Sequence, residues 1–221
     1  MFIGHFAVGF AAKKYAPKLS LGWLFMAVQF LDLLWPTLLL LNVEEVAINH
    51  NASQLTPLTF THYPISHSLI MALLWAFLFG LIYWLSSKNF KYTVILFICV
   101  ISHWFLDLVV HYPDLPLYPG NPPFVGFKLW SLPLIENILE ALMFIVGVFV
   151  YLHVTAAKNK TGEVLVWILI VFLVASFFAN IFGPAPTDVK TLAWAAEFMW
   201  IFVALAFLTD HNRRSTNLIA L

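Results

Sequence analysis

Apolar runs of membrane-spanning length alternate with short polar turns along this chain, at about 21–41, 66–86, 92–111, 132–153, 164–181 and 192–208. A helix rising about 1.5 Å per residue needs about 20 apolar residues to cross a bilayer, and inside lipid it satisfies its own backbone groups. A further run, 2–15, is too short to cross and closes on Lys13, Lys14, Pro17 and Lys18. Its length fits a short re-entrant or amphipathic helix. The segment 42–64 is polar and turn-rich and reads as an exposed loop, while YPDLPLYPGNPPF carries too many prolines for regular helix. Ser66 is placed to cap the second long run. The pattern predicts an all-α, polytopic membrane bundle of about six crossings plus the short N-terminal helix. It forms a single domain, with residues 1–155 as its core and 156–221 adding two C-terminal helices.

Composition sharpens this. Of 221 residues 62% are hydrophobic and 10% charged, and the mean hydropathy is +0.90, which excludes an ordinary soluble domain. Net charge is zero and no basic cluster interleaves with aromatics, so nucleic acid is not an expected partner. The one cysteine, Cys99, lies inside an apolar run and reads as a core residue. No nucleophile elbow, phosphate-binding loop or dinucleotide fingerprint is present, which removes serine hydrolases, nucleotide-driven pumps and nicotinamide enzymes. Nor is there an inverted repeat of the kind transporters show. Lys13, Lys14, Lys18, Lys88, Lys91, Lys158, Lys160, Arg213 and Arg214 fall on one side of a six-crossing topology, and only Lys128 and Lys190 on the other. Positive charge is retained in the cytoplasm, so both termini are expected inside and the proline-rich loop outside.

The candidate chemistry lies within the crossings. SHWFLDLVVH, ending the third run, spaces His103, Asp107 and His111 at i, i+4 and i+8, a single stripe of metal-ligand types if the helix continues through them. A carboxylate at that depth costs roughly 2.5–3.5 kcal/mol on insertion scales. Counting about 1.5 Å per residue from the cytoplasmic cations puts His5, His103 and Asp32 at roughly 12, 18 and 21 Å, sharing the middle of the bilayer. Asp107 and Glu140 follow at roughly 24 and 27 Å, with His67, His111 and Glu136 near the outer face. No Lys or Arg shares that slab. Buried acids without cationic partners must be protonated, bonded to neutral groups, or bound to a cation. With imidazoles nearby, one or two divalent metal ions are expected, zinc first, with manganese or iron as alternatives.

Plainer roles compete. Asp32, four residues before Pro36, could serve a kinked helix. His67 could be interfacial, His62 a loop residue, and His5 part of amphipathic packing. Asp114 reads as a turn residue, Glu197 as structural, and His50, His153 and His211 as solvated.

Several motifs carry a resemblance. GHFAVGFA, FLDLLWP, the SHSL turn, SHWFLDLVVHYPDLPLYPG, and LWSLP followed by Glu140, Gly147 and Tyr151 resemble the YdjM-like family of bacterial inner-membrane proteins described as metal-dependent hydrolases. The resemblance covers about residues 1–155. It implies an inner-membrane location, with His5, Asp32, His67, His103, Asp107 and Glu140 in the positions of the family's polar motif. Lys128 and Ser131, beside Trp130, depart from the expected pattern. A more distant similarity, H-x3-D on a helix with scattered His and Asp, is to zinc-dependent phospholipase C and P1 nuclease, and implies phosphoester cleavage.

The expected function is a membrane-bound, metal-dependent hydrolase that cleaves a phosphoester of a lipid or lipid-linked substrate near the outer face. His5, Asp32, His67, His103, Asp107, His111 and Glu140 are the candidate ligands, and Glu140, Glu136 and Asp107 the candidate catalytic groups. Two other classes stand beside it. One is a transporter or proton/metal conduit using the same groups, and the other a structural membrane protein in which they only fix helix pairing.

Overall fold

The computed structural model describes residues 1–49 and 56–216, so the reading of His50 lies outside the described residues. Among the described residues five helices are long and apolar enough to cross a membrane, and a bent pair makes a sixth candidate. The chain is therefore a multi-pass membrane bundle.

The short helix α1 (Ile3–Ala12) starts in the interior and runs to one end of the bundle. Helices α2 (Leu21–Val28) and α3 (Phe30–Leu40) are one apolar run broken at Gln29 and bent by 57°. A hairpin of β1 (Glu45–Ile48) and β2 (Leu58–His62) follows, so the expected exposed loop is a structured cover in which Glu44 is only 2% exposed. The reason is local. A buried carboxylate is tolerable where several donors meet it, and Glu44 accepts bonds from the next element, the single turn α4 (Pro64–His67).

Helix α5 (Leu69–Ser87) is capped by Ser68, not Ser66, because the Ser68 side chain accepts from Met71 N at 3.4 Å while Ser66 is engaged with Glu44. Lys88, at φ 55, ends it and Asn89 caps α6 (Phe90–Val110). In α6, 44% of the apolar window is buried within the protein against 22–28% in the other long helices, so α6 is the central element. A short ribbon of β3 (Leu115–Pro116) and β4 (Phe124–Val125) forms in the proline-rich segment. Helices α7 (Pro133–Val154) and α8 (Lys160–Phe182) follow, and the last crossing is α9 (Val189–Glu197) and α10 (Met199–His211), interrupted at Phe198. A ribbon of β5 (Thr155–Ala157) and β6 (Arg213–Ser215) ties the end of α7 to the end of α10.

Helix α1 packs most closely on α7, where Gly147 makes room: a side chain there would meet the backbone of Ala7. The core that follows is aromatic, with Phe6, Phe10 and Phe25 wholly buried in edge-to-face contacts at 4.8–4.9 Å. Ile70, Phe77, Ile82, Phe105, Phe149 and Val171 stay exposed, as side chains facing lipid do.

Candidate metal centre

The centre forms where the interior end of α1, the broken α2–α3 helix, α4 and α6 converge. His103 and Asp107 stand one turn apart on α6, with side chains 0% and 4% exposed, and His103 Nε2 is 3.1 Å from Asp107 Oδ2. His5, on α1, lies 3.2 Å from Asp107 Oδ1 through its Nε2, and its ring stacks on His103 at 3.7 Å and 3°. Asp32 Oδ1 is 3.6 Å from His103 Nε2 and 3.3 Å from His67 Nε2, and His67 is 3.7 Å from Asp107 Oδ2. Two ligand groups result, His5/His103/Asp107 and Asp32/His67/His103, each with its atoms within 4.8 Å of one another. They share His103.

Proton accounting decides what these rings present. The break at Gln29 leaves the Val28 carbonyl free of full helical pairing, and it stands 2.7 Å from His103 Nδ1. A carbonyl only accepts, so Nδ1 carries a proton, and in the neutral ring Nε2 offers a lone pair. That Nε2 is fully buried and makes no hydrogen bond. For His67 the same logic runs through two residues. Ser66 Oγ donates to Glu44 Oε2 at 2.6 Å, so it accepts from His67 Nδ1 at 2.7 Å, and His67 Nε2 is again a lone pair. Indole N–H groups brace this turn, Trp104 on the His67 carbonyl and Trp75 on the Ile65 carbonyl, each at 2.8 Å. Imidazoles held through one nitrogen by a carbonyl or a carboxylate relay are the usual supports of metal-binding histidines.

With both rings neutral, acceptor faces acceptor at 3.1–3.7 Å, an arrangement that a proton or a metal ion between them relieves. Ligands held at about 2.0–2.2 Å on a tetrahedral ion stand about 3.4 Å from one another, and the measured separations bracket that value. The residues therefore fit a divalent cation. Neither ligand group includes a Lys or Arg, and among the described residues the formal cation in contact is the Met1 amine, 3.3 Å from Asp107 Oδ1. Asp32, with 25% of its side chain exposed, is the open edge. It faces a chamber of about 120 Å³ walled by Trp35, Phe60, His111 and Trp130.

His111 departs from the expected stripe. Helix α6 ends at Val110 and His111 is extended, so its ring leaves the helical line and belongs to neither ligand group. Its Nδ1 lies 2.9 Å from Asp114 Oδ1, and its ring lies 4.2 Å from Trp130. Tyr63, buried nearby, donates toward the same carboxylate at 3.4 Å; burial and then Asp114 push its phenol well above the ordinary pKa, so it remains a donor.

Glu140 has another task. One of its oxygens accepts the Phe2 amide at the start of α1, one of the donors a helix leaves unpaired there. Glu136, 4% exposed, lines a second and larger cavity. Glu197 accepts from Thr37 Oγ1 at 2.7 Å, a link between helices, and His62, His153 and His211 are exposed. Glu44, Ser66, Asp114 and the Val28 carbonyl are the supports that motif reading missed. Only the Ser66–His67 adjacency offered a local signal.

A family model described as YdjM inner membrane protein matches residues 1–185. The chain belongs to the YdjM family. The match covers every residue of the centre and extends past the motifs to include α8, while α9 and α10 lie outside it. No curated protein and no solved structure matches this YdjM family member, so the likeness to phospholipase C and P1 nuclease finds no support there.

Proposed function

We propose that this YdjM family member is a metal-dependent hydrolase acting on a phosphoester of a membrane lipid or lipid-linked substrate, with zinc as the first candidate metal. One observation carries the reading: lone pairs of His67 and His103 and oxygens of Asp32 and Asp107 face each other at 3.1–3.7 Å with no Lys or Arg among them. His5, His67, His103, Asp32 and Asp107 would hold one or two ions. When bound, such an ion lowers the pKa of a coordinated water toward neutrality and polarises a phosphoryl oxygen.

The remaining steps fall to the chain itself. Asp32 lies on the open edge, where a substrate oxygen reaches the centre. His111, with Nδ1 fixed by Asp114, presents Nε2 as the proton carrier for the attacking water or the leaving oxygen. Trp35, Phe60 and Trp130 limit bulk water in the chamber. Glu140 sets the position of α1, and thereby of His5. The charge asymmetry of the loops supports cytoplasmic termini and a centre that opens toward the outer face.

A broken helix and a helix ending inside the bundle are also features of transporters. Against a conduit, Phe6, Phe10 and Phe25 are wholly buried on the α1 side of the centre.

The test is metal analysis of detergent-purified protein prepared without chelator, alongside phosphate release from long-chain phospholipid and lipid-linked phosphate substrates. One or two equivalents of divalent metal, lost in His103→Ala and Asp107→Asn, with release that EDTA abolishes, is the expected result. Folded wild-type protein without bound metal would end the reading.

A further inference from the structure

Beside the metal centre lies a cavity of about 850 Å³ between α7, α8 and α9–α10. We propose that it holds the hydrocarbon tail of a membrane phospholipid whose phosphate end lies in the metal chamber. The inference rests on the hydrolase reading and names the substrate class for the same site.

Continuity is the first argument. The two cavities share Met1, Asp32, Trp35, Thr56 and Trp130 as walls, so a molecule reaching Asp32 can extend from one into the other. Composition along the larger cavity is the second. Glu136, Asn137 and Glu140 line it from α7 and Ser176 and Asn180 from α8, while Phe172, Phe177, Leu192, Met199 and Phe202 give it a largely apolar wall. A wall that is mostly apolar and carries a few polar groups suits a hydrocarbon chain joined to a polar end.

Length is the third. The α8 wall, from Phe172 to Ile181, spans about 14 Å at 1.5 Å per residue, close to half of a hydrocarbon core of about 30 Å. The cavity thus measures one leaflet. Phe172 and Phe198, both in its wall, are 38% and 63% exposed, so the cavity is not sealed by its own wall. A volume of about 850 Å³ lies within the roughly 300–1,000 Å³ usual for ligand sites. No Lys or Arg lines it, so an anionic headgroup gains nothing by staying there and is drawn on to the cation at the centre. The helices that complete this wall, α9 and α10, lie outside the family match.

The test uses the full-length protein in vesicles of phosphatidylethanolamine and phosphatidylglycerol containing a phosphatidylethanolamine with a photoreactive diazirine in its acyl chain. Labelled sites are mapped by mass spectrometry, and metal content is measured on the same preparations. Wild type is expected to concentrate label on residues 172–181 and 192–202. Ala196→Trp and Ser176→Trp, which fill the cavity from α9 and α8 separately, are each expected to cut that label by about tenfold, a loss of about 1.4 kcal/mol in affinity, with metal content unchanged. Having two variants on different helices guards against one that fails to fold. Label spread evenly over the outer faces of α5 and α8, or undiminished in either folded variant, overturns the proposal. Concentrated label in wild-type protein that binds no metal would leave the tail site standing and remove the hydrolase reading.

Discussion

Two buried polar clusters sit at opposite ends of α1, and they differ in whether they are complete. At the Ala12 end, Lys13 Nζ bonds Asp210 Oδ2 at 2.5 Å and the Leu19 carbonyl at 2.7 Å, while Tyr151 donates to Asp210 Oδ1 at 3.0 Å. Arg213, beside it, bonds Thr155 and Gly162. Cation meets anion, every donor has an acceptor, and the result ties α1 to α7 and α10. At the Ile3 end, His67 and His103 Nε2 crowd the Asp32 and Asp107 carboxylates, and among the described residues the Met1 amine is the one formal cation in contact. The first cluster closes on itself and is architecture. The second has the ligand types and spacing that a bound cation would complete, and that difference marks it as the candidate site.

This contrast can be broken in several places. The largest effect is expected from His103→Ala, which removes the ring shared by both ligand groups: bound metal falls to background by elemental analysis, whereas Asp210→Asn keeps its full metal content. Asp210→Asn instead leaves Lys13 buried without its carboxylate and is expected to cost about 3–5 kcal/mol, read as a lowered melting temperature in detergent. The double variant Lys13→Met/Asp210→Leu regains most of that stability. Ser66→Ala or Glu44→Gln loosens the His67 tautomer without touching a ligand, and weakens metal binding by about 10–100-fold in chelator competition. Smallest is Gly147→Ala, which presses a methyl onto the Ala7 backbone; about 1–3 kcal/mol is expected in thermal unfolding, with metal retained at saturation.

The crossings were legible because a bilayer imposes a simple rule of length and apolarity, and α5 to α8 lie within a few residues of their expected ends. The bend was not. Pro36 was the visible helix breaker, but the chain breaks at Gln29, seven residues earlier, and the helix runs on through the proline. In the centre, His103 and Asp107 were legible from helical spacing, and depth counting correctly set His5 and Asp32 beside them. His111 was misread because the same spacing was extended one residue beyond the helix end, where direction changes. Glu44 was taken for loop because its partners, Ile65 and Ser66, return to it only through the hairpin, a closure no periodicity encodes.

The central claim is that a cation joins side chains from α1, α3, α4 and α6, and metal-edge X-ray absorption on the purified protein tests it most directly. Nitrogen and oxygen donors at about 2.0–2.2 Å with the outer-shell scattering of imidazole rings are expected, and that imidazole signal should vanish in His103→Ala. A spectrum of a fully hydrated ion, or the same spectrum from wild type and His103→Ala, would contradict the account.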